Sequence, residues 1–212
     1  RSSAKKRDLV AKILNAEGMD AFLISALDSI AWLLNIRGAD MEFSPLTYAY
    51  ALLLKDGSAT LFIEPAKVNA DVRAHLGDDV RLAPYEGLGE VIQALDAKVK
   101  AIGVDRVTAS RWTVDFISAA ERTAVSSADP CTALKASKHP AELKGVREAH
   151  ARDGAALTRF LAWLAVEGPK GTLNEVSAAD RLEAIRAESN LYLGQSFPTI
   201  AGAGANGAIV HY

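Results

Sequence analysis

The residues best suited to chemistry lie in the last stretch of the sequence, where a glycine-rich run, residues 202–207, leads to His211-Tyr212. Glycine and asparagine are typical of tight turns because they tolerate positive φ. Residues 196–200 are predicted to be extended before this turn, and the apolar residues after it form a β-like run. An imidazole at the end of such a run can transfer a proton or donate a hydrogen bond to a substrate. His211 is therefore the first candidate for function.

The glycine-rich run also matches, letter for letter, the G-x-G-x-x-G fingerprint of dinucleotide-binding proteins. In that fingerprint the third glycine opens a helix whose N-terminus faces the pyrophosphate. Here the third glycine, Gly207, leads into the β-like run 208–210, and no acidic residue follows at the required distance. The sequence therefore favours a structural turn over nucleotide binding.

The other three histidines fit structural roles better than metal binding. His75 and His139 are predicted to lie at the surface near helix ends, and His150 is predicted to be partly buried in a long helix. Their spacing matches no metal-binding motif, and the sequence contains no H-E-x-x-H.

A second polar cluster contains Arg37 and Asp40, directly after an apolar helix-like segment. The arginine could clamp a substrate carboxylate or reach across a subunit interface, but a salt bridge to Asp40 that fixes the loop is favoured. Serine hydrolase chemistry has no support, because Ser110, Ser118 and Ser196 lack the context of a nucleophile elbow.

The composition is that of an ordinary globular protein. Of the 212 residues, 50% are hydrophobic and 24% are charged, which is enough apolar material to bury a core. The net charge of −2 gives no support for a nucleic-acid or membrane surface, and no apolar segment approaches the roughly 20 residues that span a bilayer. The single cysteine, Cys131, excludes an internal disulfide framework and has no base near it in the sequence. We therefore predict no nucleic-acid partner, no membrane partner and a cytoplasmic location.

Alternating strand and helix signals predict an α/β domain over residues 1–133. Asp56-Gly57 separates two apolar runs and is the clearest hairpin signal in the sequence. The predicted strands are 21–24, 48–54, 59–63, 80–83 and 101–104, and the predicted helices include 29–34, 66–75, 88–98 and 111–121. Ser2 or Ser3 is expected to cap a first helix around Leu9, and Asp28 is expected to cap the second. The hairpin supplies an antiparallel pair and the crossovers supply parallel pairs, so the sheet is mixed.

After about residue 134 the pattern changes to two helices followed by a single strand. His139-Pro140 is predicted to open a long helix, and residues 172–175 match a capping box that opens the next helix. The apolar face of these helices has no complete sheet to bury it, and a lone strand cannot satisfy its own backbone. We therefore place a domain boundary between residues 133 and 134. We also expect the chain to be a fragment that stops before its active site is complete.

Three segments of the sequence resemble three-domain Xaa-Pro aminopeptidases. They are residues 28–40 with Pro45, Tyr48 and Tyr50 behind them, residues 135–150, and residues 196–212. In that order they are similar to the second domain of the family, to the start of its catalytic domain and to the stretch that leads to its active site. The block Trp-Leu-Leu-Asn-Ile-Arg-Gly-Ala-Asp, residues 32–40, favours this family over creatinases, prolidases and methionine aminopeptidases, which share the later fold.

The resemblance implies a creatinase-like α/β domain with a mixed sheet, followed by the first, incomplete part of a pita-bread α+β catalytic domain. Full members of the family bind two divalent metal ions, usually manganese (Mn2+), through two aspartates, one histidine and two glutamates. All five positions would lie beyond Tyr212, so no metal ligand is implied in this chain. Matched by position, His211 falls on the family's active-site histidine, which contacts the substrate or the tetrahedral intermediate. Phe197 falls on an aromatic position near the substrate pocket.

The resemblance thus predicts part of a metalloaminopeptidase that hydrolyses the N-terminal Xaa-Pro bond. Its expected substrate is a peptide with proline at the second position, and its expected assembly is a homodimer. Two metal ions can hold and deprotonate a water, and a histidine can stabilise the developing oxyanion. Without the carboxylate ligands the 212-residue chain is expected to be inactive. Two alternatives stay open: a creatinase or prolidase relative on the same scaffold, and a non-catalytic module that binds peptides or proteins.

Overall fold

The computed structural model describes residues 1–209, and the chain divides into two compact units, Arg1–Ser137 and Lys138–Tyr212. The domain boundary predicted after residue 133 lies a few residues before this division. No helix within residues 1–209 is long and apolar enough to span a membrane.

The first unit alternates strands and helices around one sheet. The strands are β1 (Ala21–Ile24), β2 (Tyr50–Leu54), β3 (Ala59–Phe62), β4 (Val80–Ala83), β5 (Ala101–Val104) and β6 (Thr123–Ser126). The helices are α1 (Ser3–Ala16), α2 (Leu27–Leu34), α3 (Ala70–Leu76), α4 (Leu88–Ala94), α5 (Arg111–Ala119) and α6 (Cys131–Ala136). Two short 3₁₀ turns, Pro65–Lys67 and Tyr85–Gly87, precede α3 and α4.

The sheet is mixed, with the strand order β4-β3-β2-β1-β5-β6. β2 pairs antiparallel with both β1 and β3, whereas the β1–β5, β3–β4 and β5–β6 pairs are parallel. The β2–β3 hairpin turns at Gly57, whose φ of +88° favours glycine. The carboxylate of Asp56 closes this turn by accepting hydrogen bonds from the amide and hydroxyl of Ser58, at 2.8 and 2.6 Å. The structure confirms the mixed sheet and the hairpin that the sequence predicts.

Apolar side chains fill both faces of the sheet, because successive strand residues point to opposite sides. On one face α1 and α2 pack against the strands, and this cluster includes Val10, Leu14, Phe22, Ile24, Ile30, Leu33, Leu34, Leu53 and Leu61. On the other face α4 and α5 pack against the strands, and this cluster includes Leu23, Leu52, Phe62, Leu88, Ile92, Ile102, Val104 and Ile117. Each such side chain contributes about 1.5–3 kcal/mol when it is fully buried.

The predicted start of the first helix is confirmed, and that of the second is wrong. Ser2 caps α1, since its hydroxyl accepts a hydrogen bond from the Lys5 amide at 3.3 Å. α2 begins at Leu27, and no side chain caps it. Asp28 instead lies in the first turn of α2, where its carboxylate forms an ion pair with Lys135.

Strands 21–24, 80–83 and 101–104 match the sequence prediction residue for residue. The predicted helix 66–75 is divided into a 3₁₀ turn and α3, because the side chain of Asn69 accepts a hydrogen bond from the Val72 amide at 2.9 Å and starts α3 there. β6 and α6 were not predicted: β6 is an edge strand with no buried residue, and α6 is only six residues long.

The second unit contains α7 (Pro140–Glu167) and α8 (Glu175–Ala187), followed by a 3₁₀ turn, Gly204–Ala208. As predicted, α7 begins at Pro140. His139 caps it, with its ring nitrogen accepting from the Ala141 amide at 3.3 Å while Glu142 accepts from the His139 amide at 2.7 Å. No side chain of α7 is buried.

The capping box of α8 lies two residues later than the sequence predicts. Asn174 accepts a hydrogen bond from the Ser177 amide at 2.8 Å, and the hydroxyl of Ser177 accepts from the Asn174 amide at 3.0 Å. Thr172 is therefore not the cap of α8. Glu175, predicted as the closing member of the box, takes no part in it.

Candidate functional site

The described part of the candidate site is the segment that follows α8. Residues 196–200, predicted to be extended, have no regular secondary structure, and the glycine-rich run forms the 3₁₀ turn Gly204–Ala208. The predicted turn is thus confirmed. The predicted strand is not, because Ala208 ends the turn and no strand occurs within residues 138–209. Ile209 has an extended backbone, with φ −82° and ψ 119°.

The turn closes through local hydrogen bonds and needs two of its glycines. The Asn206 amide donates to the Ala203 carbonyl at 3.2 Å, and the Ile209 amide donates to the Asn206 carbonyl at 3.1 Å. Gly204 has a φ of +55°, and a Cβ on Gly202 would lie 3.2 Å from the Asn206 carbonyl oxygen. Backbone conformation and close approach therefore explain these glycines without a nucleotide.

A carboxylate at the start of α8 binds this turn. Oε1 of Glu175 accepts a hydrogen bond from the Ala203 amide at 2.6 Å. Nδ2 of Asn206 donates to Oε1 and Oε2 of the same carboxylate at 3.1 and 3.2 Å. Hydrogen bonds to an ionised group are about twice as strong as neutral ones, and the helix dipole favours a negative charge in the first turn of α8.

Sequence reasoning missed this contact. Glu175 and Ala203 are 28 residues apart, so no periodic pattern joins them. In the predicted capping box, residues 172–175, the partner of Glu175 was the nearby backbone of Thr172. One signal in the sequence could have indicated the missed contact. Asn is at least as good an N-cap as Thr, and a cap at Asn174 places Glu175 outside the capping box, so that its carboxylate can bind elsewhere.

Phe197 lies in the same segment, and 65% of its surface is exposed. A cavity of about 450 Å³ opens between α7 and α8, with Arg152, Ile185 and Tyr192 among its walls. Phe197 is not among the residues that line it. A place for Phe197 near a substrate pocket stays a prediction.

His211, the first candidate for function, lies outside the described residues. The other histidines make structural contacts: Nε2 of His75 lies 2.9 Å from the carbonyl oxygen of the last residue of α2, and His139 caps α7. Nδ1 of His150 lies 2.9 Å from a carbonyl oxygen one turn earlier in α7. His150 is exposed, so the prediction that it is partly buried is wrong.

The polar cluster around Asp40 is held together, but not by Arg37. The Asp40 carboxylate accepts hydrogen bonds from the Lys67 ammonium at 2.6 Å, the Tyr48 amide at 2.7 Å and the Thr47 hydroxyl at 2.8 Å. These contacts, with Lys67 first, lower the pKa of Asp40 to about 2. The predicted Arg37–Asp40 salt bridge is wrong, because the cation that reaches Asp40 comes from the 3₁₀ turn after β3. Arg37 is exposed.

The described residues do not fit a metal centre. Within residues 1–209, no group of three or more His, Cys, Asp or Glu side chains could hold a metal ion. Cys131 is buried, and burial, helped by Asp129, raises the pKa of its thiol. A protonated thiol in this position is neither a nucleophile nor a metal ligand.

Two family models match the chain one after the other. Residues 1–142 match the creatinase/prolidase N-terminal domain. Residues 144–212, which include the glycine-rich turn and its approach, match metallopeptidase family M24.

The curated relatives are named Xaa-Pro aminopeptidases. The probable Xaa-Pro aminopeptidase P of Penicillium rubens is 38% identical over 208 residues, which cover 95% of this chain and 34% of that protein. The probable Xaa-Pro aminopeptidase P of Paracoccidioides lutzii is 39% identical over 213 residues, with the same two coverages. The chain therefore spans about a third of the length of the curated relatives it matches.

Solved structures agree with this match. X-prolyl aminopeptidase from Caenorhabditis elegans, described as a cytosolic enzyme with a di-nuclear active site, superposes with a TM-score of 0.82 at 29% identity, over 93% of this chain and 33% of that one. The Xaa-Pro dipeptidase from Bacillus anthracis, at 15% identity and a TM-score of 0.67 over 88% of this chain and 49% of that one, shares the fold. Because the first family model spans more than half of its residues, the chain belongs to the creatinase/prolidase N-terminal domain family.

Proposed function

We propose that the chain is part of a dinuclear metal-dependent aminopeptidase that hydrolyses the N-terminal Xaa-Pro peptide bond. The observation that carries the proposal is the match to Xaa-Pro aminopeptidase P along 95% of the chain at 38% identity. The C. elegans enzyme supports it, because its fold agrees closely and its active site is described as di-nuclear. In this proposal the creatinase-like domain ends at residue 133 and the catalytic domain begins at residue 134.

The proposed substrate is a peptide with proline at its second position. Proline has no backbone N–H. An enzyme therefore cannot position the Xaa-Pro bond by accepting a hydrogen bond from the amide of that bond. We assign His211 to the carbonyl oxygen of this bond, where an imidazole donor stabilises the charge that develops during hydrolysis. We assign Phe197 to the wall of the substrate pocket, where its exposed ring offers apolar surface.

Two divalent metal ions, with Mn2+ as the proposed identity, supply an activated water to this class of enzyme when they are bound. Residues 1–209 offer no group that could hold them. We therefore assign the metal ligands to other residues of the protein and expect the 212-residue chain to be inactive alone. We further propose a homodimer and a cytoplasmic location, the latter in keeping with the cytosolic C. elegans enzyme.

The protein purified from its natural source tests this assignment. We expect an intact mass well above the 22.5 kDa of the 212-residue chain. We also expect a peptidase activity on Xaa-Pro peptides that a chelator abolishes and Mn2+ restores, whereas the 212-residue chain in the same assay releases no product. A natural-length protein that binds Xaa-Pro peptides with Mn2+ present but leaves them intact would instead favour the non-catalytic binding module.

A further inference from the structure

We propose that Glu175 is a positioning residue that holds the glycine-rich turn, residues 202–207, and so fixes where the chain leaves it at Ile209, two positions before His211 in the sequence. The hydrogen bonds that carry this inference join the first residue of α8 to Ala203 and Asn206. The consequence for catalysis rests on the proposed function.

The turn needs a partner outside itself. A 3₁₀ turn of five residues forms few hydrogen bonds, and their geometry is poorer than in an α-helix. Gly202, Gly204 and Gly207 add backbone freedom that folding must remove. Glu175 supplies the missing constraint, because it binds the amide of Ala203, just before the 3₁₀ segment Gly204–Ala208, and the side chain of Asn206 in the middle of that segment.

The position of Glu175 in α8 makes its carboxylate suitable for this task. It is the first residue of the helix, where the dipole favours its negative charge. Asn174 and Ser177 already form the capping box, so the carboxylate of Glu175 is directed to the turn rather than to the amides of its own helix. Both carboxylate oxygens are used, which fixes the direction as well as the distance of the contact.

The constraint bears on the catalytic residue through a short connection. Ile209 donates its amide to the Asn206 carbonyl and is the last described residue, and His211 follows it by two positions. In an active site a displacement of about 1 Å can cost a hundredfold in rate. A residue that holds the turn therefore acts on catalysis through His211 without touching the substrate.

Nuclear magnetic resonance of the natural-length protein, without metal ions, tests the contact without an activity assay. In Glu175→Ala we expect the Ala203 amide to exchange its hydrogen about ten- to a hundredfold faster, because a charge-assisted hydrogen bond is lost. We also expect the ring signals of His211 to shift. Glu175→Gln keeps one acceptor oxygen, so its Ala203 exchange rate and its His211 ring signals should lie between those of the unmodified chain and those of Glu175→Ala.

Asp180→Ala is the matched control, since Asp180 is an exposed carboxylate of the same helix. It should leave Ala203 and His211 unchanged, and the amides of α8 should stay protected in every variant. If the His211 ring signals of Glu175→Ala coincide with those of the unmodified chain while α8 is folded, the proposal is overturned.

The natural-length protein loaded with Mn2+ gives the second arm. There Glu175→Ala should lower kcat about ten- to a hundredfold with little change in KM, and Glu175→Gln should recover part of the loss. Combined with His211→Ala, Glu175→Ala should add no further loss, because both act through one group. An unchanged kcat would contradict the positioning role. If the unmodified protein cleaves no Xaa-Pro peptide, the proposed function fails, and the resonance measurement still decides whether Glu175 holds the turn.

Discussion

At the scale of single residues, the structure depends on carboxylates whose partners are distant in the sequence. Asp20 accepts hydrogen bonds from the Lys55 ammonium at 2.7 Å and from the amides of Lys100 and Ala101 at 2.9 and 3.0 Å. It therefore ties the start of β1 to the hairpin and to β5. Asp40 and Glu175 act in the same way at other places. Local patterns carry no trace of such contacts, which is why the sequence predicted a partner within a few residues for Asp40 and for Glu175.

These contacts predict how stability depends on pH. The Lys55 and backbone hydrogen bonds of Asp20, and the Lys67 and backbone hydrogen bonds of Asp40, lower each pKa from 3.8 to about 2. Between these values the unfolded chain binds more protons than the folded one, so the free energy of unfolding falls as the pH drops from about 4 to about 2. Urea unfolding across this range should show the fall, and Asp40→Asn should make it shallower.

Glu42→Gln, at an exposed glutamate beside the same cluster, provides the comparison for this prediction. It should keep the full pH dependence of the unmodified chain. A pH dependence as steep in Asp40→Asn as in Glu42→Gln would contradict the role assigned to Asp40.

At the scale of elements, the sequence predicted what depends on buried apolar runs and missed what depends on tertiary contact. β1, β4 and β5 were predicted to the residue, and the Asp56-Gly57 hairpin follows from turn chemistry. β6 was not predicted, because it lacks a buried apolar run: its inner residues, Ala124 and Val125, are only half-buried at the sheet edge. Of the strand expected after the glycine-rich turn, Ala208 belongs to the 3₁₀ turn instead, and the residues beyond Ile209 lie outside the described part of the chain.

The side chain of Arg122, just before β6, should contribute strongly to stability through its contacts at the end of α4. The guanidinium of Arg122 donates to the carbonyls of Ile92 and Leu95 at the end of α4, at 3.1 and 2.7 Å, and to those of Asp96 and Val99 beyond it. It thereby satisfies carbonyls that a helix end leaves unpaired. Arg122→Ala should lower the free energy of unfolding by about 2–3 kcal/mol, as measured by urea denaturation.

Two companion variants sharpen this prediction. Arg122→Lys should recover little, because a single ammonium cannot span the carbonyls that the planar guanidinium reaches. Arg111→Ala removes an exposed pair with Asp115 one turn away and should cost less than about 0.5 kcal/mol. Equal losses in Arg122→Ala and Arg111→Ala would show that the carbonyl contacts contribute nothing.

At the scale of the whole molecule, fold and function were predicted by different routes. The α/β sheet follows from apolar periodicity and turn residues. The membership of the chain in the creatinase/prolidase N-terminal domain family agrees with that fold. His211 was marked by its position after a glycine-rich turn, and the resemblance added its catalytic role. Phe197 was selected by resemblance alone, since a single phenylalanine carries no distinctive spacing. The partners of Glu175 could be found only from coordinates, because they lie 28 and 31 residues away.

The most direct test of the central claim is the identity of the bond that the natural-length protein cleaves in the presence of Mn2+. Two peptides that differ only in having proline or alanine at the second position should be incubated with it, and the products identified by mass spectrometry. We predict that a single N-terminal residue is released from the proline peptide, that the alanine peptide stays intact, and that a chelator stops the release. Cleavage of the alanine peptide, or cleavage restricted to Xaa-Pro dipeptides as in a prolidase, would contradict the assignment.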